Sequence, residues 1–440
     1  MHYIQYPDRL DFLAFHQLDA TVFPCLLQSA HQSGWDILFA LPQETQLFYS
    51  GEEARFFATL NQIPVQNNLA GTTKNSTQHF PFCGGWFVYA GYELLHAIEP
   101  TVTPRAISPD VPLAALLRIP AAALYHRNTQ TTWLVAESQS QLQEMQQLFH
   151  PCSAAFNPLH VLSLAEEPAD IFLQGVARCK EYITAGDVFQ VNLSRAWDAV
   201  LAPHNTAVDV YHQLQLANPA PFSACVDLGK MQIISSSPER LVRVKEGWIE
   251  SRPIAGTYPR AETAAEDATS KAQMMASMKE RAEHIMLIDL KRNDLGRICQ
   301  PGTVEVNELM SLASYAHVHH IESNIRGRLQ AGLTMQDILR ALFPGGTITG
   351  CPKVRTMQII RELEMRPRLA YTGSVGYINH EGTLDLNILI RSFIKQESQL
   401  YFRAGAGIVA DSIPEKELQE TRAKAKGLLR ALGKERRWSL

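Results

Sequence analysis

Near the end of the chain, Glu417, Glu420, Thr421 and Lys424 recur at i, i+3, i+4 and i+7. In a helix that spacing places all four on one face. Ser412-Ile-Pro-Glu415 reads as the start of that helix, a capping box with serine at the N-cap and proline in the first turn. On an arbitrary helix, two carboxylates and an ammonium in one stripe form a solvated face. Here the stripe follows Ala404-Gly-Ala-Gly-Ile408, whose glycines let a ligand approach the backbone. Another carboxylate, Glu283, interrupts the Met- and Ile-rich stretch 272–290, which reads as a single helix. Such a glutamate lies at an exposed edge or is buried with a cation. Three carboxylates from two helices are hard oxygen donors, few enough to leave room for water and substrate. That donor set suits Mg²⁺. Ser235-Ser-Ser-Pro-Glu239-Arg240-Leu241 adds a carboxylate where an apolar strand breaks at proline. It reads either as a turn glutamate paired with Arg240 or as a general acid at a strand end.

The elements that must position these groups are strands and helices in mixed order. Residues 231–235, 241–244 and 248–251 read as strand, turn, strand, and 373–378, 384–395 and 400–409 as an antiparallel meander. A polar stretch, 66–79, reads as a loop, and 153–170 as a boundary. The 440 residues carry a net charge of −4, which excludes the basic stripe of a nucleic-acid binder. Seven scattered cysteines without a CxxC pair read as reduced thiols, not a zinc site or disulfide framework. No signal peptide and no apolar run long enough to span a membrane is read, so the expected compartment is the cytoplasm.

Several motifs then occur in one order: Ser-Pro-Glu239-Arg-Leu, Arg252-Pro-Ile-Ala-Gly-Thr257, Glu280-Arg-Ala-Glu283-His, Asp289-Leu-Lys-Arg-Asn-Asp-Leu-Gly-Arg297, Phe343-Pro-Gly-Gly-Thr-Ile-Thr-Gly-Cys-Pro-Lys353, Gly373-Ser-Val-Gly-Tyr377 and Ala404-Gly-Ala-Gly-Ile-Val-Ala-Asp411. Together the set resembles the chorismate-utilising enzymes: anthranilate synthase component I, aminodeoxychorismate synthase component I, and the isochorismate and salicylate synthases. The resemblance implies an α+β fold of two large antiparallel β-sheets packed face to face with flanking helices. It implies an N-terminal region, 1–160, inside the same compact fold as a chorismate-binding region, 165–440.

The resemblance also implies roles. Glu283 and Glu420, with Glu417, are expected to hold Mg²⁺. Arg391, Tyr377 and the backbone at Gly405 and Gly407 are expected to grip the enolpyruvyl carboxylate, with Lys424 as a further cation. Thr347 and His320 line the ring, and Glu239 is the acid that helps the C4 hydroxyl leave. That role requires a protonated carboxyl, raised by burial.

Gln190 stands where the isochorismate and salicylate synthases carry a lysine base. Glutamine cannot activate water, whereas neutral ammonia needs no base, so amination is favoured. Ala220-Pro-Phe-Ser-Ala224 and Asp385-Leu-Asn-Ile-Leu-Ile-Arg391 resemble aminodeoxychorismate synthase, which feeds 4-aminobenzoate and folate synthesis. The alternative is anthranilate synthase. Ala255, where many aminodeoxychorismate synthases carry a lysine, leans toward that alternative. A non-catalytic regulator has no physical need for Glu239, Glu283, Arg391 and Glu420 together. No glutaminase motif is present, so a separate glutamine amidotransferase subunit is the expected ammonia source. Residues 26–29 resemble part of the family's tryptophan pocket, with Gln28 replacing the usual glutamate. A tryptophan site is entertained there.

Overall fold

A strand whose side chains alternate between two apolar environments must be covered on both faces. The strand Trp35–Ala40 is of this kind. Ile37 and Phe39 enter one core, and Leu38 and Ala40 another. In Ala114–Ile119, Ala115 and Leu117 join that first core, while Ala114 and Leu116 enter a third. The shared core takes Phe39, Val226 and Ile233 from one sheet and Phe87, Leu117 and Val375 from the other. A computed structural model describes residues 1–65, 80–260, 263–314 and 318–434, and the stretch 66–79 lies outside them. It contains a twelve-stranded and a ten-stranded antiparallel sheet packed face to face. Helices Phe12–Leu18, Ala207–Ala217 and Pro414–Ala431 cover the outer face of the larger sheet, and Glu53–Leu60, Met278–Gly296 and Met335–Leu342 that of the smaller. The expected α+β sandwich is therefore present. None of the described helices is long and apolar enough to cross a membrane.

Early strands are built into both sheets. Cys25–Gln28 pairs with Phe222–Asp227, and Gly85–Ala90 pairs with Ser374–Asn379.

The stretch 384–395, expected as one strand, is two. Leu384–Asn387 belongs to the smaller sheet and Ser392–Gln396 to the larger. The same happens at Pro238, between Gln232–Ser237 in the larger sheet and Arg240–Lys245 in the smaller. These crossings run side by side, because Ser235 pairs with Ser392 and Arg240 with Asn387. Ile388 N donates to Glu239 O at 3.0 Å, and Ser236 N to Arg391 O at 3.1 Å. Proline cannot continue a ladder at the first crossing. Arg391 turns the second with φ +54°, a left-handed conformation that costs a non-glycine residue about 1–3 kcal/mol.

Two helix expectations change. Ser277 leaves the helical conformation and caps a second helix through Glu280 N at 3.3 Å, so 272–290 is divided between Ala264–Ala276 and Met278–Gly296. The helix Pro414–Ala431 has no capping side chain. Ser412 accepts instead from Val409 N at 3.0 Å and donates to Glu417 Oε1 at 2.7 Å.

Beneath the crossings lies a buried ionic cluster. Glu364 receives Arg368 at 2.7 Å, Arg403 at 3.0 Å and Ser194 N at 2.8 Å. Burial pushes the Glu364 carboxyl up, but Arg368 and Arg403 outweigh it and hold the group below its ordinary range. Arg368 also donates to Ile348 O at 2.9 Å and Asn192 O at 2.8 Å. Arg368→Met should lower the unfolding free energy by about 3–5 kcal/mol, since it strands a buried carboxylate. Arg366→Met, at a half-exposed pair with Asp198, should change it by about 0–1 kcal/mol. Urea unfolding of both variants checks the contrast.

Candidate active site

Glu239 stands at the first crossing with its carboxyl buried. Thr347, on the short turn Gly346–Ile348, donates to Oε1 at 2.8 Å. Burial pushes the carboxyl up to about 7, and Glu322 adds to this. Lys291, the Thr347 hydrogen bond and Lys424 pull the other way. The group is thus poised to give up a proton near neutrality. Its alternative as the partner of Arg240 does not form, because Arg240 grips Asp385 with two hydrogen bonds of 2.8 and 2.9 Å.

Arg391, at the second crossing, is half-buried. Among the described residues nothing forms a hydrogen bond or ion pair with its guanidinium. Burial lowers its proton affinity, and Tyr371 is the neighbour that offsets this. An uncommitted guanidinium in such a setting suits a carboxylate. His320 also feels Arg391. It is buried, its Nδ1 donates to Gly256 O at 3.0 Å, and burial keeps its ring toward the neutral form.

The strand Gln399–Ile408 passes directly beneath other site groups. A Cβ on Gly407 would lie 2.3 Å from Gln190 Nε2 and 3.7 Å from Glu283 Oε1. A Cβ on Gly405 would lie 2.6 Å from Asn192 Oδ1 and 3.0 Å from the Tyr371 hydroxyl. An added methyl would have to displace the Gln190 and Asn192 side chains and, at Gly405, would also press on Leu193 O at 2.9 Å. Gln190 is buried and donates to Glu283 Oε1 at 3.3 Å. Asn192 donates to Thr347 O at 3.3 Å, and among the described residues its buried Oδ1 has no hydrogen-bond partner.

Tyr377 does not join this group. Its ring packs on Phe39 and Phe82 in the core between the sheets, and it is Tyr371 that stands beside Gly405 and Arg391. Of the carboxylates on the last helix, Glu417 is buried and bonded by Ser412, while Glu420 is exposed and paired with Lys424 at 2.7 Å. Among the described residues no group of three or more His, Cys, Asp or Glu side chains is placed to hold a metal ion. Mg²⁺ keeps several waters and takes one or two protein carboxylates plus substrate oxygens, so it does not require such a group. Ala255 lies on the strand Ile254–Pro259, opposite Ile321. Glu322, two residues from His320, is buried and receives Arg252 Nε at 2.7 Å, so it adds charge behind Glu239 and is not a surface group.

In the segment resembling a tryptophan pocket the polar groups are bonded internally. Gln28 donates to Asp36 at 3.3 Å and accepts from Tyr211 at 3.0 Å, and Arg127 holds Asp36 through two hydrogen bonds of 2.8 Å.

Residues 23–430 match the family described as chorismate binding enzyme. The chain belongs to that family. It is 39% identical over 426 residues to the anthranilate synthase component I-like protein of Synechocystis, covering 95% of this chain and 87% of the other. It is 40% identical over 411 residues to aminodeoxychorismate synthase component 1 of Bacillus subtilis, covering 88% and 84%. Anthranilate synthase component I of Streptococcus pneumoniae superposes with a TM-score of 0.78 at 28% identity, over 97% of this chain and 99% of that one. The chain is therefore a chorismate-utilising enzyme, and its relatives include both aminating types.

Gly407→Ala drives a methyl into Gln190 and should lower chorismate consumption at least about tenfold while the fold survives. Gly296→Ala, with open space around it, should leave consumption near the native rate. Loss of chorismate absorbance beside circular dichroism checks both.

Proposed function

We propose that the chain aminates chorismate to 4-amino-4-deoxychorismate, using Mg²⁺ and ammonia released from glutamine by a separate amidotransferase subunit. The observation that carries this reading is Gln190. Position 190 holds an amide bonded to Glu283, with no capacity to deprotonate water. A neutral ammonia molecule is already a nucleophile and needs no base.

The remaining residues supply binding and proton transfer. Arg391, with Tyr371 and the glycine-lined backbone at Gly405 and Gly407, takes the enolpyruvyl carboxylate of chorismate. His320 and Thr347 border the ring, and Lys424 adds positive charge for a dianionic substrate. Glu239 gives its proton to the C4 hydroxyl, which departs as water as the carbon–nitrogen bond forms. Glu283 and Glu420, with Glu417, would hold Mg²⁺, which when bound neutralises and orients the ring carboxylate.

Anthranilate formation is the second reading. Ala255 favours it, because no lysine is available at that position for a covalent adduct. In either reaction the C4 hydroxyl leaves, so the role of Glu239 is the same. Regulation by tryptophan finds no support in the internally bonded Gln28 and Asp36.

The deciding assay combines chorismate, Mg²⁺ and an ammonium salt. The expected product is non-fluorescent and yields 4-aminobenzoate only after a 4-amino-4-deoxychorismate lyase is added. Anthranilate fluorescence without lyase would establish the second reading, and an isochorismate product would overturn amination itself. Chelation of Mg²⁺ should stop turnover. At fixed free ammonia, kcat/KM should fall as pH rises through about 7, because the acid must be protonated. Glu239→Gln should lower kcat by about 10²–10⁴-fold.

A further inference from the structure

The helix Met278–Gly296 carries a cation that nothing above employs. Lys291 is 0% exposed, and among the described residues its Nζ has no hydrogen-bond partner. A buried ammonium without a partner is unfavourable by several kcal/mol. Stability alone does not account for a lysine at this place.

Its surroundings point toward the acid. Leu290, the residue before it, presses on the turn that carries Thr347, where a Cβ on Gly346 would meet Leu290 Cδ2 at 2.2 Å. Thr347 in turn bonds Glu239. Burial lowers the proton affinity of Lys291, Asp294 and Glu239 raise it, and Lys353 opposes them, so its ammonium form depends on those two carboxylates. Asp294 is already held by Lys353 Nζ at 2.8 Å. Those bearing on Glu239 are Lys291, Glu322 from the strand Val318–Arg328 and Lys424 from the last helix. Glu322 is paired with Arg252, and Lys424 with Glu420. Of the two lysines bearing on the acid, Lys291 is the one left without an ion pair.

We propose that Lys291 is a positioning residue for proton donation, an uncommitted ammonium that stabilises the carboxylate Glu239 becomes when its proton leaves with the C4 hydroxyl. The idea rests on the reading of Glu239 as the acid. Ammonia, the C4 alcohol and the Glu239 carboxyl become a carbon-bound ammonium, water and the Glu239 carboxylate. The carbon–nitrogen bond forms and the C4–oxygen bond breaks. Glu239 recovers its proton from the product ammonium or from solvent, and Lys291 keeps its own throughout. Without that cation, an acid buried so deeply would hold its proton too tightly, since opposite charges favour each other's ionised forms and burial opposes both.

The test follows the protonated carboxyl band of the full chain by difference infrared spectroscopy across pH. Its disappearance in Glu239→Gln assigns the band, and no turnover is needed. In Lys291→Met and Lys291→Gln the midpoint should move up by about one to two pH units, the range for loss of a nearby opposite charge. Lys291→Arg should stay nearer the native midpoint. Removing an unpaired buried charge should not weaken the fold, so both neutral variants are expected to keep the native circular dichroism spectrum. At neutral pH and fixed free ammonia, kcat should fall about tenfold with KM for chorismate within about twofold. An unmoved midpoint in both neutral variants overturns the proposal, as does a rise in KM with kcat unchanged. A native chain that leaves chorismate untouched with ammonium would instead sink the function proposed above, while the comparison of midpoints would still stand.

Discussion

The site hangs on the carboxylate of Glu364, buried between two guanidinium groups. Its partners Arg368 and Arg403 are almost wholly inaccessible to water, so their attraction to the carboxylate is screened by little but protein. Through Arg368 the cluster reaches Ile348 O and Asn192 O. Those residues adjoin or carry the groups that contact Glu239, Gly405 and the site floor. Through Ser194 and Arg403 it fixes the strands Gln190–Leu201 and Gln399–Ile408 against each other. The desolvation of such a cluster offsets most of its attraction, so its net contribution to stability is small while the loss of one partner is costly.

On that base, two chain segments cross between the sheets side by side, and each crossing delivers one group of opposite chemical character. Glu239 is buried until its carboxyl favours the neutral form. Arg391 is a guanidinium without a hydrogen-bond or ion-pair partner among the described residues. Regular ladders could not present either group this way, because a strand residue points into a filled core or into the covering helices. Breaking the ladder at Pro238 and at the left-handed Arg391 frees both side chains from those layers. The glycine-lined strand below then leaves room for Gln190 and Glu283 above Gly407.

Much of this was legible in the residues. The order of motifs pointed to Glu239, Gln190, Gly405 and Gly407 as candidates, and the family resemblance carried the sandwich. The failures have local physical causes. Tyr377 lies two residues after Val375, so strand alternation sends both into the core between the sheets. Tyr371, before the strand begins, is free of that alternation. The apolar run around Ile388-Leu-Ile390 looked like continuous strand because a crossing between two buried sheets is as apolar as the sheets themselves. Ser412 matched a capping pattern, but a buried glutamate one turn into the helix competed for its hydroxyl. Lys291 reads as an ordinary polar position on a helix, since nothing in the sequence tells of the turn packed against its neighbour Leu290.

We propose that chorismate binds between the two crossings, with its C4 hydroxyl against Glu239 and its enolpyruvyl carboxylate on Arg391. A crystal structure of the Glu239→Gln variant with chorismate and Mg²⁺ tests it most directly. The enolpyruvyl carboxylate should be bonded by Arg391, and the C4 hydroxyl should lie within hydrogen-bond distance of the side chain at position 239. A complex in which Arg391 stays without a partner, or in which the C4 hydroxyl points away from position 239, would contradict the account.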